Sequence, residues 1–309
     1  MSSTSHLRMI FCALILAACA LAAAPPARAQ VRHAAVSANG ADNRVCDRAN
    51  PCRTLEAAVA AVEAGGQVSV LTSGVYEPFV VNKSVQVVAP EGVHAVVTAA
   101  SGYAITVNTG ASDVVVLRGL NLDGQSTASA GISVNAPAAA GPLHVAGCVI
   151  SNFKGPGLYF YALGGGQLYV KDTTSRNNLH GLHITSNVRA AIDHCRFEQN
   201  MFDGLTVRNG ARATVRDSLA AGNSTDGDAE TGGFHTIDGH LTLENCVTVD
   251  NYNGIRAEGG VVQVSNTMVA DNKYGLVNAA GWGQLISFGN NRLRGNVVNG
   301  SFTLNAGQK

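Results

Sequence analysis

Charge is what this sequence has least of. Only 14% of its 309 residues are Asp, Glu, Lys or Arg, and 21 basic side chains balance 21 acidic ones. A chain with no basic surplus presents no broad field to phosphates, which argues against nucleic acid as a partner. Aromatic residues are also scarce at 6%, with a single Trp. Low charge beside 35 glycines disfavours a helical protein and favours a repetitive, turn-rich β architecture. Disorder is excluded as well, because 46% of the residues are apolar, enough for a sizeable core. Beyond the first two dozen residues no stretch is long and apolar enough to span a bilayer.

The opening segment reads as an address. Arg8 precedes an apolar run from Met9 to Ala24, and Pro25-Pro26 break it before Ala27-Arg28-Ala29. That is the anatomy of a cleavable signal peptide, cut after Ala29. The alternative takes Leu16-Ala17-Ala18-Cys19 as a lipoprotein box and leaves a lipid anchor at Cys19. Either reading sends the protein out of the cytoplasm, to a periplasmic or extracellular location. Loss of residues 1–29 removes Arg8 and Arg28 and no acid, so the mature charge is 19 minus 21, or −2. In an oxidising compartment Cys46 and Cys52, which bracket Asp-Arg-Ala-Asn-Pro, are the natural disulfide pair. Metal binding there is the weaker reading, since no second pair of ligands follows.

From residue 112 onward the chain repeats. Rungs such as Leu143-His-Val-Ala-Gly-Cys148, Leu168-Tyr-Val-Lys-Asp-Thr173, Ala190-Ala-Ile-Asp-His-Cys195 and Leu241-Thr-Leu-Glu-Asn-Cys246 recur every 21 to 28 residues. Five places after the Cys, Thr or Ser comes Asn, then Gly followed by apolar-x-apolar, as in Gly181-Leu-His-Ile and Gly204-Leu-Thr-Val. Short period-2 apolar runs separated by Gly and Asn turns are strands, and a fixed period of this length makes them a solenoid. The expected fold is all-β: a single-stranded right-handed parallel β-helix with a short N-terminal capping α-helix. Stacked coils lie about 4.8 Å apart. Asn178, Asn200, Asn223, Asn251, Asn272 and Asn296 should therefore form a hydrogen-bonded ladder, at turns where Asn tolerates the left-handed conformation. Cys148, Cys195 and Cys246 are each one intervening coil apart, about 9.6 Å or more, too far to pair, and read as buried fillers. Thr54 to Gly65 has helical spacing behind an N-cap and would close the N-terminal end. The far end has only a short tail after Phe302, so its cap is thin or comes from a partner. The expected organisation is signal peptide 1–29, disulfide loop and capping helix 30–66, β-helix 67–304 and tail 305–309.

The passage Arg53-Thr-Leu-Glu-Ala-Ala-Val, then Val68-Ser-Val-Leu, Gly74-Val-Tyr76-Glu77 and the Asn-x-x-x-Gly rungs, resembles the pectin-lyase-like superfamily, and more narrowly its exported bacterial repeat proteins of unassigned activity. The resemblance covers about residues 34 to 304. It implies the fold but not the reaction, because that superfamily includes polysaccharide lyases, hydrolases, epimerases and noncatalytic adhesins. Of the hydrolase branch's motifs only Gly239-His240-Leu241 has a fragment here, and the epimerase signature is absent, so no catalytic residue transfers.

Candidate chemistry comes from the strand after each glycine. Its outward column is expected to run Tyr159, His183, Thr206, His235, Arg256, Val277, and the next Tyr161, Thr185, Arg208, Ile237, Glu258, Ala279, with His180 and Asp203 just before the glycines. The longest coil carries an acidic insertion, Asp226, Asp228 and Glu230, directly before His235. These three could hold Ca²⁺, although a solvated acidic loop is the plainer reading. A lyase needs a cation to neutralise a uronate carboxylate and a base for the adjacent proton: Arg256 or Arg208, with His183 or His235. A hydrolase needs two carboxylates, and Asp203 with Glu258 lie two coils or ~10 Å apart. Tyr159, Tyr161, His180, Arg208 and Glu258 would line the substrate. Two functions follow: an exported protein that binds an acidic polysaccharide along this face, and on the enzymatic reading cleaves it; or a noncatalytic surface or envelope module whose exposed His and Arg keep a long sheet soluble.

Overall fold

The computed structural model describes residues 31–42, 45–224, 229–279 and 281–307. The signal-peptide and lipid-anchor expectations, Cys19 included, fall outside them. Among the described residues short strands wind through three parallel sheets, in rotation from Val62 to Arg294. Sheet 1 has twelve strands and includes Leu143–Ala146, Gly166–Lys171 and Val188–Asp193; sheet 2 has ten, including Val149–Ser151 and Thr174–Arg176; sheet 3 has nine, including Pro156–Ala162, His180–Thr185, Leu205–Arg208, Phe234–Ile237 and Asn253–Glu258. Each strand pairs in parallel with its counterpart one coil earlier and one later, and Leu158, Leu182, Leu205, Phe234, Ile255 and Leu276 stack in register as a continuous inward column. This is the parallel β-solenoid that the repeat implies, and its all-β character is as expected.

The corner between sheets 2 and 3 is held by the asparagine ladder. The Asn200 backbone N–H and side-chain amide both donate to Asn223 Oδ1, at 3.0 and 2.9 Å. Asn223 repeats this on Asn251, and Asn251 on Asn272. The expectation that these asparagines adopt the left-handed conformation is corrected. The positive φ lies one residue earlier, at Asn177, Gln199, Gly222, Asp250, Asp271 and Gly295. The preceding residue turns the chain, which leaves the ladder Asn free to aim its amide inward. The glycine that follows is required by crowding: a Cβ on Gly204 would lie 2.6 Å from the Gly233 carbonyl oxygen and 3.1 Å from Asn223 Nδ2.

A second ladder lines the corner between sheets 1 and 2. Cys148, Cys195 and Cys246 alternate there with Thr173, Ser218 and Thr267, and Cys195 N–H donates to Ser218 Oγ at 3.0 Å. Every second coil thus places a thiol where its neighbours place a hydroxyl. The three thiols are free and buried, as their spacing implies, and burial raises them to between about 11 and about 12.

At the N-terminal end the helix α1 spans Leu55–Ala61, capped by Thr54 Oγ1, which accepts from Ala57 N–H at 3.2 Å. It is shorter than the expected Thr54–Gly65, because Val62–Val70 leaves it to pair with Val31–Val36, a strand of the sheet that the repeat pattern does not mark. The solenoid therefore begins before residue 67. Cys46 and Cys52 form the expected disulfide beside these strands. At the other end the two-residue strand Leu304–Asn305 pairs with Gln284–Ser287, leaving Val297, Val298 and Leu304 exposed; the cap is thin. Among the described residues no helix is long and apolar enough to cross a membrane.

Candidate functional site

Sheet 3 carries both expected columns in the expected register. Tyr159 pairs with His183, His183 with Thr206, Thr206 with His235 and His235 with Arg256; alongside run Tyr161, Thr185, Arg208, Ile237 and Glu258. The columns do not share one environment. Tyr159, Tyr161, His180, His183 and Arg208 are partly exposed, whereas Thr206 and His235 are each 1% exposed and Arg256 9%. His235 and Arg256 alternate with the core-facing Phe234, Thr236, Ile255 and Ala257, but they are covered rather than open: the segment around Ala229 to Gly232 folds over them.

Asp203 is the centre of the buried part. Its Oδ1 accepts from Gly232 N–H at 2.8 Å and lies 3.1 Å from His235 Nδ1. Its Oδ2 accepts from Thr206 Oγ1 at 2.7 Å, and His180 Nδ1 lies 3.2 Å away, poorly aligned for a hydrogen bond. Burial alone would raise this carboxyl. The donors and the adjacent imidazoles outweigh that effect and hold it well below the usual carboxylate range, so it is ionised at neutral pH. Thr206, three residues after Asp203, belongs to the expected column, but the sequence assigns it no role; the Asp-x-x-Thr spacing on the edge of a glycine turn is the only signal of its bond to Asp203.

His235 stands between two acids: Nδ1 contacts Asp203 and Nε2 lies 3.7 Å from Glu258 Oε2. The two-carboxylate arrangement expected for hydrolysis needs a sugar and a water between Asp203 and Glu258. An imidazole fills that place, so the pairing is not available. Arg256 is likewise engaged. One terminal nitrogen donates to Ala229 O at 3.0 Å and the other to Glu258 Oε2 at 3.2 Å, while Asn253 Nδ2 donates to Ala229 O and Thr231 O. Arg256 and Asn253 thus hold the insertion down. Glu230 lies on its exposed turn; Asp226 and Asp228, the other two expected Ca²⁺ ligands, lie outside the described residues.

The accessible part is a small polar patch one coil away. The His183 ring makes edge contacts with Tyr159 and with His180, both at 5.4 Å between centroids. Burial, the neighbouring His180 and the charge of Arg208 lower His183 to about 4, so its imidazole is neutral at physiological pH. Buried polar atoms without hydrogen-bond partners occur in both parts: His180 Nδ1 and Arg208 Nε at the patch, His235 Nε2 and Arg256 Nε under the cover beside it. Such atoms are rare in native proteins.

A family model described as "Right handed beta helix region" matches residues 130–298. This chain belongs to that family. The match spans every rung that builds the site and fixes the hand of the solenoid. Among solved structures, this right-handed β-helix protein is similar to ORF18 of Geobacillus virus E2, with a TM-score of 0.55 and 14% identity over 85% of this chain and 60% of the viral protein. It is also similar to a rhamnogalacturonan lyase, with a TM-score of 0.50 and 13% identity over 78% of this chain and 75% of the lyase. Likenesses at such identities establish a shared fold. The chain spans under two thirds of the viral protein's length. No curated protein matches its sequence.

Proposed function

We propose that this β-helix protein binds an acidic polysaccharide across sheet 3, with a uronate carboxylate held by Arg208 and the sugar ring laid against Tyr159 and Tyr161. The observation that carries this reading is the gathering of orphaned donors around one partly exposed arginine and a neutral imidazole. The fold it shares with a polysaccharide lyase is consistent with such a ligand. Export agrees with the Cys46–Cys52 disulfide, a bond characteristic of oxidising compartments.

The same pair meets the requirements of β-elimination. Arg208 would stabilise the charge that develops on the carboxylate as the neighbouring carbon loses its proton. Neutral His183 would take that proton, the electron pair would form the carbon–carbon double bond, and the glycosidic C–O bond would break, its oxygen gaining a proton from water. Asp203, His235 and Arg256 are positioning residues on this view: they fix the floor and the covering loop but do not reach substrate.

A second reading, the noncatalytic surface or envelope module, draws on the burial of Asp203, His235 and Arg256: Asp203 contacts His235 and accepts from Gly232, and Arg256 donates to Ala229, like structural pins. Arg208→Ala separates the two. On the binding reading it lowers affinity for polygalacturonate about tenfold, as expected for losing one charge-assisted contact, and leaves the fold intact. Unchanged affinity in a folded variant overturns the assignment of Arg208.

A further inference from the structure

Sheet 1 carries a feature that the site on sheet 3 does not use. His144 and Tyr169 pair in register on adjacent strands, and their rings stack with centroids 4.5 Å apart and planes within 10°. The stack therefore runs along the solenoid axis. Burial lowers the His144 pKa, so the ring is a neutral, flat partner at physiological pH. The column ends in small side chains: after Tyr169 come Ala191 and Thr214. The far face of the tyrosine is consequently open, and Tyr169 is 39% exposed. A hollow of about 510 Å³ lies over this step.

Beside the stack runs a second column, Arg118, Ala146, Lys171, Asp193 and Arg216, one residue per coil. Arg118, Lys171, Asp193 and Arg216 all border the hollow. Asp193, 3.9 Å from Lys171 and 4.0 Å from Arg216, offsets one of the three cations and leaves a positive edge. The hollow thus has the open tyrosine face at one side, Ala191 beside that face, Thr214 across from it, and a rim of three cations and one carboxylate. A pyranose has an apolar C–H face and a hydroxyl-bearing rim, and a carboxylate on that rim would meet the cations.

We propose that the His144–Tyr169 stack on sheet 1 is a second ligand site, in which an anionic pyranose stacks on the free face of Tyr169 with its carboxylate toward Lys171 and Arg216. The site stands independently of sheet 3, since it shares no residue with it.

The test is calorimetric titration of the purified protein with a tetragalacturonate, compared with maltotetraose as a neutral control. Tyr169→Ala is expected to remove one binding event, or weaken it at least tenfold, while Arg208→Ala leaves that event in place. Tyr169→Phe, which keeps the ring and loses only a hydroxyl directed at Gln167, is expected to bind like the parent and guards against misfolding as the cause. Tyr169→Ala with the parent's isotherm overturns the site. So does equal binding of maltotetraose, which would remove the role of the cations, or preferential binding of benzoate, which would replace the sugar with a planar acid. Loss of binding confined to Arg208→Ala would support sheet 3 and refute sheet 1.

Discussion

His183 links burial to acid sensitivity. The unfolded chain protonates this imidazole near its ordinary value of 6.5, the folded chain only near 4. Stability is therefore expected to fall as pH drops through that interval and to level off below it, by about 3 kcal/mol from this residue alone. Asp203 is depressed rather than raised, so its contribution is present above the ordinary carboxylate value of 3.8 and is lost only at lower pH. His183→Gln should flatten the stability profile between pH 6.5 and 4 while leaving the steeper acid loss; urea unfolding across that range checks it, and parallel profiles would refute the account. The thiols give a second residue-scale expectation. Held at about 11 to 12 and buried, Cys148, Cys195 and Cys246 should remain unlabelled by an alkylating reagent at pH 8 until the protein is unfolded, as read by mass spectrometry. Column membership of His183, His235 and Arg256 was legible because glycine marks the start of each strand. The burial of His235 and Arg256 was not, because the cover is backbone from Ala229 to Gly232, and backbone donors and acceptors leave no trace in residue type.

Among the elements, the corner between sheets 2 and 3 depends most on single side chains. Asn223 is fully buried; its amide donates to Phe197 O at 2.9 Å and to Asn251, while its carbonyl accepts twice from Asn200. Asn223→Ala leaves buried partners unsatisfied in two adjoining coils and should cost about 3 kcal/mol or more, measured by urea unfolding. Asp250, one residue before the next ladder position, sits at a φ of 56°. Asp250→Gly should be neutral or stabilising by up to about 1 kcal/mol. The opposite ranking would mean that the ladder does not hold the corner. The ladder was readable from a repeated Asn at fixed spacing. The left-handed position was not, since Asn, Asp, Gln and Gly all occupy it and no one letter repeats. The end of α1 was missed for another reason. Glu63 and Ala64 have helical propensity, and pairing with Val31–Val36 overrides it.

Across the molecule, stacking identical coils gives functional side chains a fixed pitch. The two proposed sites lie on separate faces: on sheet 3 an arginine and a neutral imidazole above a buried Asp–His pair, on sheet 1 a stacked ring pair beside three cations and a carboxylate. The architecture was legible from the repeat alone, because a coil that cannot bury its own apolar face must stack on a neighbour. The site was only partly so, because the same repeat that reveals the fold dictates most residues in it, and the proposed function rests on departures such as Asp203 and Arg208. The most direct test of the central claim, that sheet 3 binds an acidic polysaccharide, is affinity electrophoresis through polygalacturonate and through neutral dextran, comparing the parent with Arg208→Ala. The parent should be retarded by the uronate polymer alone, less so as salt rises, and the variant should migrate markedly faster. Equal retardation of parent and variant, or none of the parent, would contradict it.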